Sequence, residues 1–239
     1  MPDALNQILT IVLVKKSTGD LERIKTRLKL GKKTSLNPGI AADFQLTSSV
    51  SAKEIEVALI ELDIQADYCL QNEKGRKKSL LICDMDSTLI GQECIDELAE
   101  EAGVGARVAG ITARAMNGEI EFEAALLERV ALLEGLSTSV IDQVISTRIE
   151  LMPGGIELVR TMRKNGAYCA LVSGGFTGFT SRIAEMIGFQ ENRANTLLHR
   201  DGKLTGRVGM PILGQQAKVD ALRDIAAKLG LATEDAIAV

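Results

Sequence analysis

The chain has 239 residues, 46% of them hydrophobic and 25% charged, which excludes a disordered, collagenous or coiled-coil architecture and allows one or two globular domains. Its formal net charge is −4, and only 3% of its residues are aromatic, with no Trp. Neither a basic field for nucleic acid or an anionic membrane nor a platform for stacking bases is therefore expected.

The first apolar stretch, near residues 8–14, is too short to span a membrane and has no small-residue cleavage site after it, so neither a membrane span nor a signal peptide is expected. It reads as a short buried strand. Leu21, Ile24 and Leu28 follow at helical spacing, with Gly31 as a stop. Ser51 and Glu54 have the spacing of a capping box and predict a helix over 54–62. A strand is expected over 64–70. Together these form a small α+β unit over residues 1–75, and the basic run 74–78 reads as an exposed linker.

Residues 79–84 form a continuous apolar run ending in Asp84, the pattern of a parallel strand buried on both faces. A helical stretch follows over 92–147, broken at Gly103, Asn117-Gly118 and Gly135. Alternation then returns. A helix is expected over 155–164 with a stop at Asn165-Gly166, then a strand over 167–172 and a helix over 180–187. Asp201-Gly202 predicts a tight hairpin, followed by a helix over 215–229 and a strand from 235. The fold class is α/β: a doubly wound parallel sheet with a helical insert over 91–148, a core over 76–90 and 149–239, and the small α+β domain in front. In such sheets ligands bind beyond the carboxyl ends of the strands, which here carry Asp84 and Ser173.

The four cysteines, Cys69, Cys83, Cys94 and Cys169, fit no zinc spacing and read as reduced, mostly buried thiols of a cytoplasmic protein. His199 is the only histidine, so acid–base chemistry falls to carboxylates. Asp84 and Asp86 stand two apart just past a strand. Carboxylates that close need a proton or cation between them, and their oxygens suit Mg²⁺. An aspartate can also attack phosphorus. The plainer reading is an Asx-turn, against which stands the full run Asp84-Met85-Asp86-Ser87-Thr88-Leu89.

Ser173-Gly174-Gly175 is either a simple strand-to-helix turn or a small-residue cradle whose N–H groups meet an anion. Lys218 shares a helix face with Leu222, Ile225, Ala226 and Leu229, and it lies where the helix dipole disfavours a cation. It either snorkels to water or answers an anion. Arg129 lies inside the stripe Phe122, Leu126, Leu133 and needs a carboxylate, from an internal salt bridge or from a ligand. Glu93 suits a helix's first turn. With Arg129 it also makes the acid–base pair that an amino-acid substrate requires.

The Asp84–Leu89 run resembles the first motif of the haloacid dehalogenase phosphotransferase superfamily. That resemblance implies Asp84 as nucleophile, Asp86 as proton donor and then base, Thr88 as support, and Mg²⁺ held by the Asp84 carboxylate and the Asp86 main-chain carbonyl. With Glu93, Met116, Phe122, Arg129, Ser173, Gly174 and Lys218 in compatible order, the region from about residue 77 to 239 is similar to the phosphoserine phosphatase family. The family implies Mg²⁺-dependent hydrolysis of O-phosphoserine through an aspartyl-phosphate, the last step of serine biosynthesis. It also implies Glu93 and Arg129 on the amino and carboxylate groups, Met116 and Phe122 closing a cap, and Ser173, Gly174 and Lys218 on the phosphate. The small first domain looks loosely like ACT-type regulatory domains. The family's further Asp motif is expected after the strand at 235 and is not in the sequence, so the chain reads as truncated and its core as incomplete. The alternatives are a superfamily phosphatase for another small phosphate, or a form that binds without turnover. The expected partner is a small-molecule substrate, without nucleic acid or membrane, and a homodimer is left open.

Overall fold

The computed structural model describes residues 6–239, so the first five residues of the expected N-terminal domain lie outside the described residues. The chain divides into two compact units, one ending at Lys77 and the other running from Lys78 to Val239.

The first unit has the order β1 (Gln7–Leu13), α1 (Asp20–Arg27), β2 (Lys33–Asn37), β3 (Ala41–Gln45), α2 (Ala52–Glu61) and β4 (Ala66–Asn72). Its antiparallel sheet runs β2-β3-β1-β4. Leu9, Ile11, Phe44, Ile24 and Ile55 meet in a core between the sheet and both helices. The capping box at α2 is formed: the Glu54 N–H donates to Ser51 Oγ at 3.3 Å, and the Ser51 N–H donates to Glu54 Oε2 at 2.8 Å. The basic run is not free along its length. Arg76 pairs with Asp43 on β3, and its side chain is only 16% exposed. Asp43 also accepts from Thr10 Oγ1 on β1 at 2.7 Å, so the carboxylate that anchors Arg76 is itself fixed.

The second unit is built on a parallel sheet of order β10-β5-β6-β7, from β5 (Leu80–Cys83), β6 (Tyr168–Phe176), β7 (Glu191–Asn195) and β10 (Ala236–Ala238). All four residues of β5 are buried. Leu81 and Cys83 face one core, shared with Val159 of α7 (Gly155–Lys164) and Ile183 of α8 (Thr177–Ile187). Leu80 and Ile82 face the other, shared with Ala221 and Ile225 of α9 (Gln215–Leu229). Two covered faces explain the unbroken apolar run. Between β5 and α7 stand four helices: α3 (Cys94–Glu101), α4 (Gly105–Met116), α5 (Phe122–Ala131) and α6 (Ser139–Thr147). The hairpin of β8 (Leu197–Arg200) and β9 (Lys203–Val208) turns at Asp201 and Gly202, both with positive φ, as a two-residue hairpin turn requires.

Four strands differ from the sequence-based expectations. Strands β2 and β3 occupy a stretch with no predicted element, and β7 precedes the expected hairpin. Strand β6 continues through the small-residue turn to Phe176. It does so by a bulge: Val172 pairs with Arg193, but Phe176 pairs with Asn195, leaving Ser173, Gly174 and Gly175 out of register with β7.

Candidate active site

Strands β5 and β6 are parallel neighbours, so their carboxyl ends open on the same edge. Asp84 follows β5 there, and the β6 bulge turns Ser173–Gly175 toward it. A cavity of about 240 Å³ lies over this edge, lined by Asp84, Asp86, Glu93, Ser173 and Gly174 from the strand ends and loops, Phe122, Leu126 and Arg129 from α5, and Gly214, Gln215 and Lys218 from the start of α9. Of the nine site residues expected from the sequence, eight line this cavity. Met116 does not; it is 84% exposed at the end of α4. Thr88 sits in the turn after Asp86 and is also outside the lining.

The turn after β5 is tight. The N–H groups of Thr88, Leu89 and Ile90 all donate to the Met85 carbonyl, at 3.2, 2.9 and 3.2 Å. Ser87 takes a left-handed backbone, φ 51°, an uncommon conformation for a residue with a side chain. That geometry aims the Ser87 hydroxyl at Glu93, which accepts its hydrogen bond at 2.7 Å. Glu93 is the N-cap residue of α3, but its side chain caps nothing. It is held at the cavity by Ser87 instead.

Asp84 Oδ1 accepts from the Met85 N–H at 2.8 Å. Its other oxygen forms an ion pair with Lys218. The half-exposed lysine therefore answers an anion inside the site. Asp86 is partly buried and accepts from the Cys94 N–H at 3.3 Å. Burial first, and the neighbouring charges of Glu93 and Asp84 after it, push its carboxyl up from 3.8 to about 6, against the hydrogen bonds of Cys94. A Cβ at Gly175 would stand 2.8 Å from Asp86 Oδ2 and 3.1 Å from Met85 Cε, so a side chain there would displace the Asp86 or Met85 side chain.

Ser173 is buried at 2% exposure, with its Oγ accepting from the Gly175 N–H at 2.9 Å. Across the cavity, α9 starts at Gly214, and no side chain caps it. Gly214, Gln215 and Lys218 at that start line the same cavity, and a helix N-terminus there is suited to an anion.

Arg129 resolves between the two readings of its stripe. Its Nε donates to the Ala125 carbonyl of its own helix at 3.2 Å, and its Nη1 to Thr112 Oγ1 at 3.3 Å. It makes no ion pair with any described carboxylate, although Asp96 and Glu93 lie near enough to hold its charge against the burial that lowers its pKa. Asp96 Oδ1 is itself buried without a hydrogen-bond donor among the described residues. The guanidinium is thus a partly buried cation on the cavity wall with carboxylate-binding capacity to spare.

Sequence reasoning missed Ser87, Asp96, Gly214 and Asn195, and it placed Gly175 in the small-residue turn without its contact to Asp86. Gly214 left a trace, a glycine ahead of a helix without a Ser, Thr or Asp cap. The others are recognisable only from their partners.

Residues 81–239 match the haloacid dehalogenase-like hydrolase family. A phosphoserine phosphatase of Archaeoglobus fulgidus is 46% identical over 165 residues, 69% of this chain and 48% of the relative. The chain thus spans about half the length of that curated relative. Among solved structures, the unliganded probable phosphoserine phosphatase of Vibrio cholerae superposes with a TM-score of 0.78 at 30% identity, covering 98% of this chain and 72% of that one. A phospho-aspartyl intermediate analogue of a phosphoserine phosphatase gives 0.63 at 40% identity, over 68% and 78% of the two chains.

Proposed function

The chain belongs to the haloacid dehalogenase-like hydrolase family, and from that premise we propose that it hydrolyses O-phosphoserine to serine and phosphate. The observation that carries the substrate is Arg129, a cation on the cavity wall without a carboxylate partner among the described residues, on the same cavity as Glu93. A guanidinium takes the substrate carboxylate in a fork, and the Glu93 carboxylate takes its ammonium. Ser87 holds Glu93 in place for that contact. Phosphoserine phosphatases among its relatives and structural neighbours support the same substrate.

At the other end, Asp84 attacks phosphorus. The bond from phosphorus to the serine oxygen breaks, and Asp86 gives its proton to that oxygen as it leaves. Asp86 then takes a proton from water, which attacks the aspartyl-phosphate, releasing phosphate and restoring Asp84. A carboxyl raised to about 6 is suited to both tasks near neutral pH, since it gives and takes a proton at small cost. Lys218 holds the resting Asp84 by an ion pair and moves to the phosphoryl oxygens when the ester enters. Ser173, the Gly174 N–H and the start of α9 supply the remaining donors, and in phosphoryl transfer such donors provide most of the catalysis.

Among the described residues no cluster of three or more His, Cys, Asp or Glu side chains stands ready for a metal. The donors that are present fit Mg²⁺, which uses one or two carboxylates, keeps several waters and shares the substrate phosphate. The Asp84 carboxylate and the Asp86 main-chain carbonyl would hold it. When bound, the ion supplies positive charge that shields the phosphate from the attacking carboxylate.

The test is phosphate release from phosphoserine by the chain, with Mg²⁺ and with chelator, beside a panel of other small phosphates. Phosphoserine is expected to lead the panel, and Asp84→Asn is expected to abolish release. Better turnover of an ester without amino and carboxylate groups would refute the substrate. Wild-type rates in Asp84→Asn would refute the mechanism.

A further inference from the structure

One buried polar side chain next to the cavity is not used by the chemistry above. Asn195, the last residue of β7, is 2% exposed and makes three hydrogen bonds. Its Nδ2 donates to the Gly174 carbonyl at 2.8 Å and to the Leu213 carbonyl at 3.1 Å. Its Oδ1 accepts from the Leu213 N–H at 2.7 Å. A single side chain thus ties the β6 bulge to the segment that opens α9.

Those two segments carry opposite halves of the anion cradle. One presents Ser173 and Gly174; the other leads through Gly214 to Lys218. No regular strand pairing joins them, because the bulge takes residues 173–175 out of the β6–β7 ladder and β7 ends at Asn195. The Asn195 amide replaces the missing ladder bonds: it stands opposite Phe176 in register and reaches back across the bulge to Gly174. Phe122 lies against both segments from above, since a Cβ built at either Gly174 or Gly214 would meet its ring at 3.4 Å. Its 43% exposure and apolar contact do not fix their spacing as three directed hydrogen bonds do.

We propose that Asn195 is the positioning residue that sets the width of the phosphate cradle, holding Ser173–Gly174 and the start of α9 at the separation a phosphoryl group spans. This deepens the phosphatase reading and rests on it for the identity of the anion. Asn195 touches no reacting atom; it acts through the two backbones it joins.

The experiment compares the full chain with Asn195→Ala and Asn195→Asp in Mg²⁺ buffer. The aspartate has the same shape and keeps an acceptor for the Leu213 N–H, but it donates to neither carbonyl when ionised and to one at most when protonated, so the two-carbonyl clamp is lost and it carries the test if the alanine variant does not fold. Inorganic phosphate binding is measured by calorimetry, and turnover is measured on phosphoserine and on p-nitrophenyl phosphate. Misplacing cradle donors by about 1 Å costs up to about 100-fold, so phosphate affinity and kcat/KM are expected to fall about 10- to 100-fold. The two substrates are expected to lose by the same factor, because they share only the phosphoryl end. A residue needed only for folding would lower the melting temperature and leave the phosphate affinity of the folded protein unchanged. Phosphate affinity within about twofold of wild type in a folded variant would overturn the proposal, as would a loss confined to phosphoserine. If the wild-type chain binds phosphate but cleaves neither ester, the phosphatase reading fails while the calorimetric comparison still decides the role of Asn195.

Discussion

Replacing Asp86 by Asn is expected to stabilise the metal-free protein at neutral pH. The carboxyl ionises near 3.8 when exposed and at about 6 in the folded chain, where burial and the charges of Glu93 and Asp84 oppose its ionised form. An acid whose folded pKa is raised binds its proton more tightly folded than unfolded. Its ionisation therefore costs stability, progressively as pH rises from about 4 to about 6, and by a constant amount above that. Two units correspond to ~3 kcal/mol at pH 7, an upper figure because the folded site can relax. The asparagine has no charge to bury and can still accept from the Cys94 N–H. Urea unfolding in chelator should place the variant ~2–3 kcal/mol above wild type at pH 7, narrowing to about 1 kcal/mol or less near pH 4.5. A gain that does not change with pH would mean that the effect is packing. A less stable variant at pH 7 would refute the reasoning.

Two further substitutions separate the ends of the cavity. Arg129→Ala should lower kcat/KM for phosphoserine about 10- to 100-fold, the worth of a charge-assisted fork, and leave p-nitrophenyl phosphate within about threefold. Equal losses on both would remove Arg129 from substrate recognition. Gly175→Ala forces Asp86, Met85 or Ser173 to move, since its Cβ would stand 2.8, 3.1 and 3.2 Å from their nearest atoms. It should cut kcat at least about tenfold with little change in KM and cost ~1–3 kcal/mol of stability. Unchanged kcat would show that the three side chains have room to yield.

Elements with strong end signals were legible in the sequence. The limits of α7 were read correctly because Asn165-Gly166 stops it, the limits of α9 also match, and the α2 capping box formed as written. Strand β2 is a five-residue edge strand with no buried residue, so it carries no alternating pattern. Strand β7 is largely polar because it lies at the sheet edge and ends in a hydrogen-bonding residue rather than a packing one. The acidic pair and the misplaced lysine stood out because each breaks a local rule, whereas the small-residue turn stood out only beside the motif it resembles. Ser87 and Asn195 break none, since serine after a strand and asparagine before a hairpin are ordinary, and their roles lie in contacts 6 and 18 residues away. Arg129 was legible as an anomaly, but only its neighbours show that Asp96 and Glu93 act on its charge from nearby while no described carboxylate forms an ion pair with it.

Phe122, Leu126 and Arg129 reach the cavity from one face of one helix, while the acidic pair and the small-residue turn come from strand ends. On the proposed reading, the wall that meets the far end of the substrate comes from α5 and from Glu93 just before α3, while the phosphoryl end is met from the strand ends and α9. Exchanges along α5, together with Glu93, would then retune which ester that reading admits without rebuilding the strand ends. Selection, or an engineer, could vary the guest through Glu93 and a stretch of ten residues while the sheet beneath stays as it is.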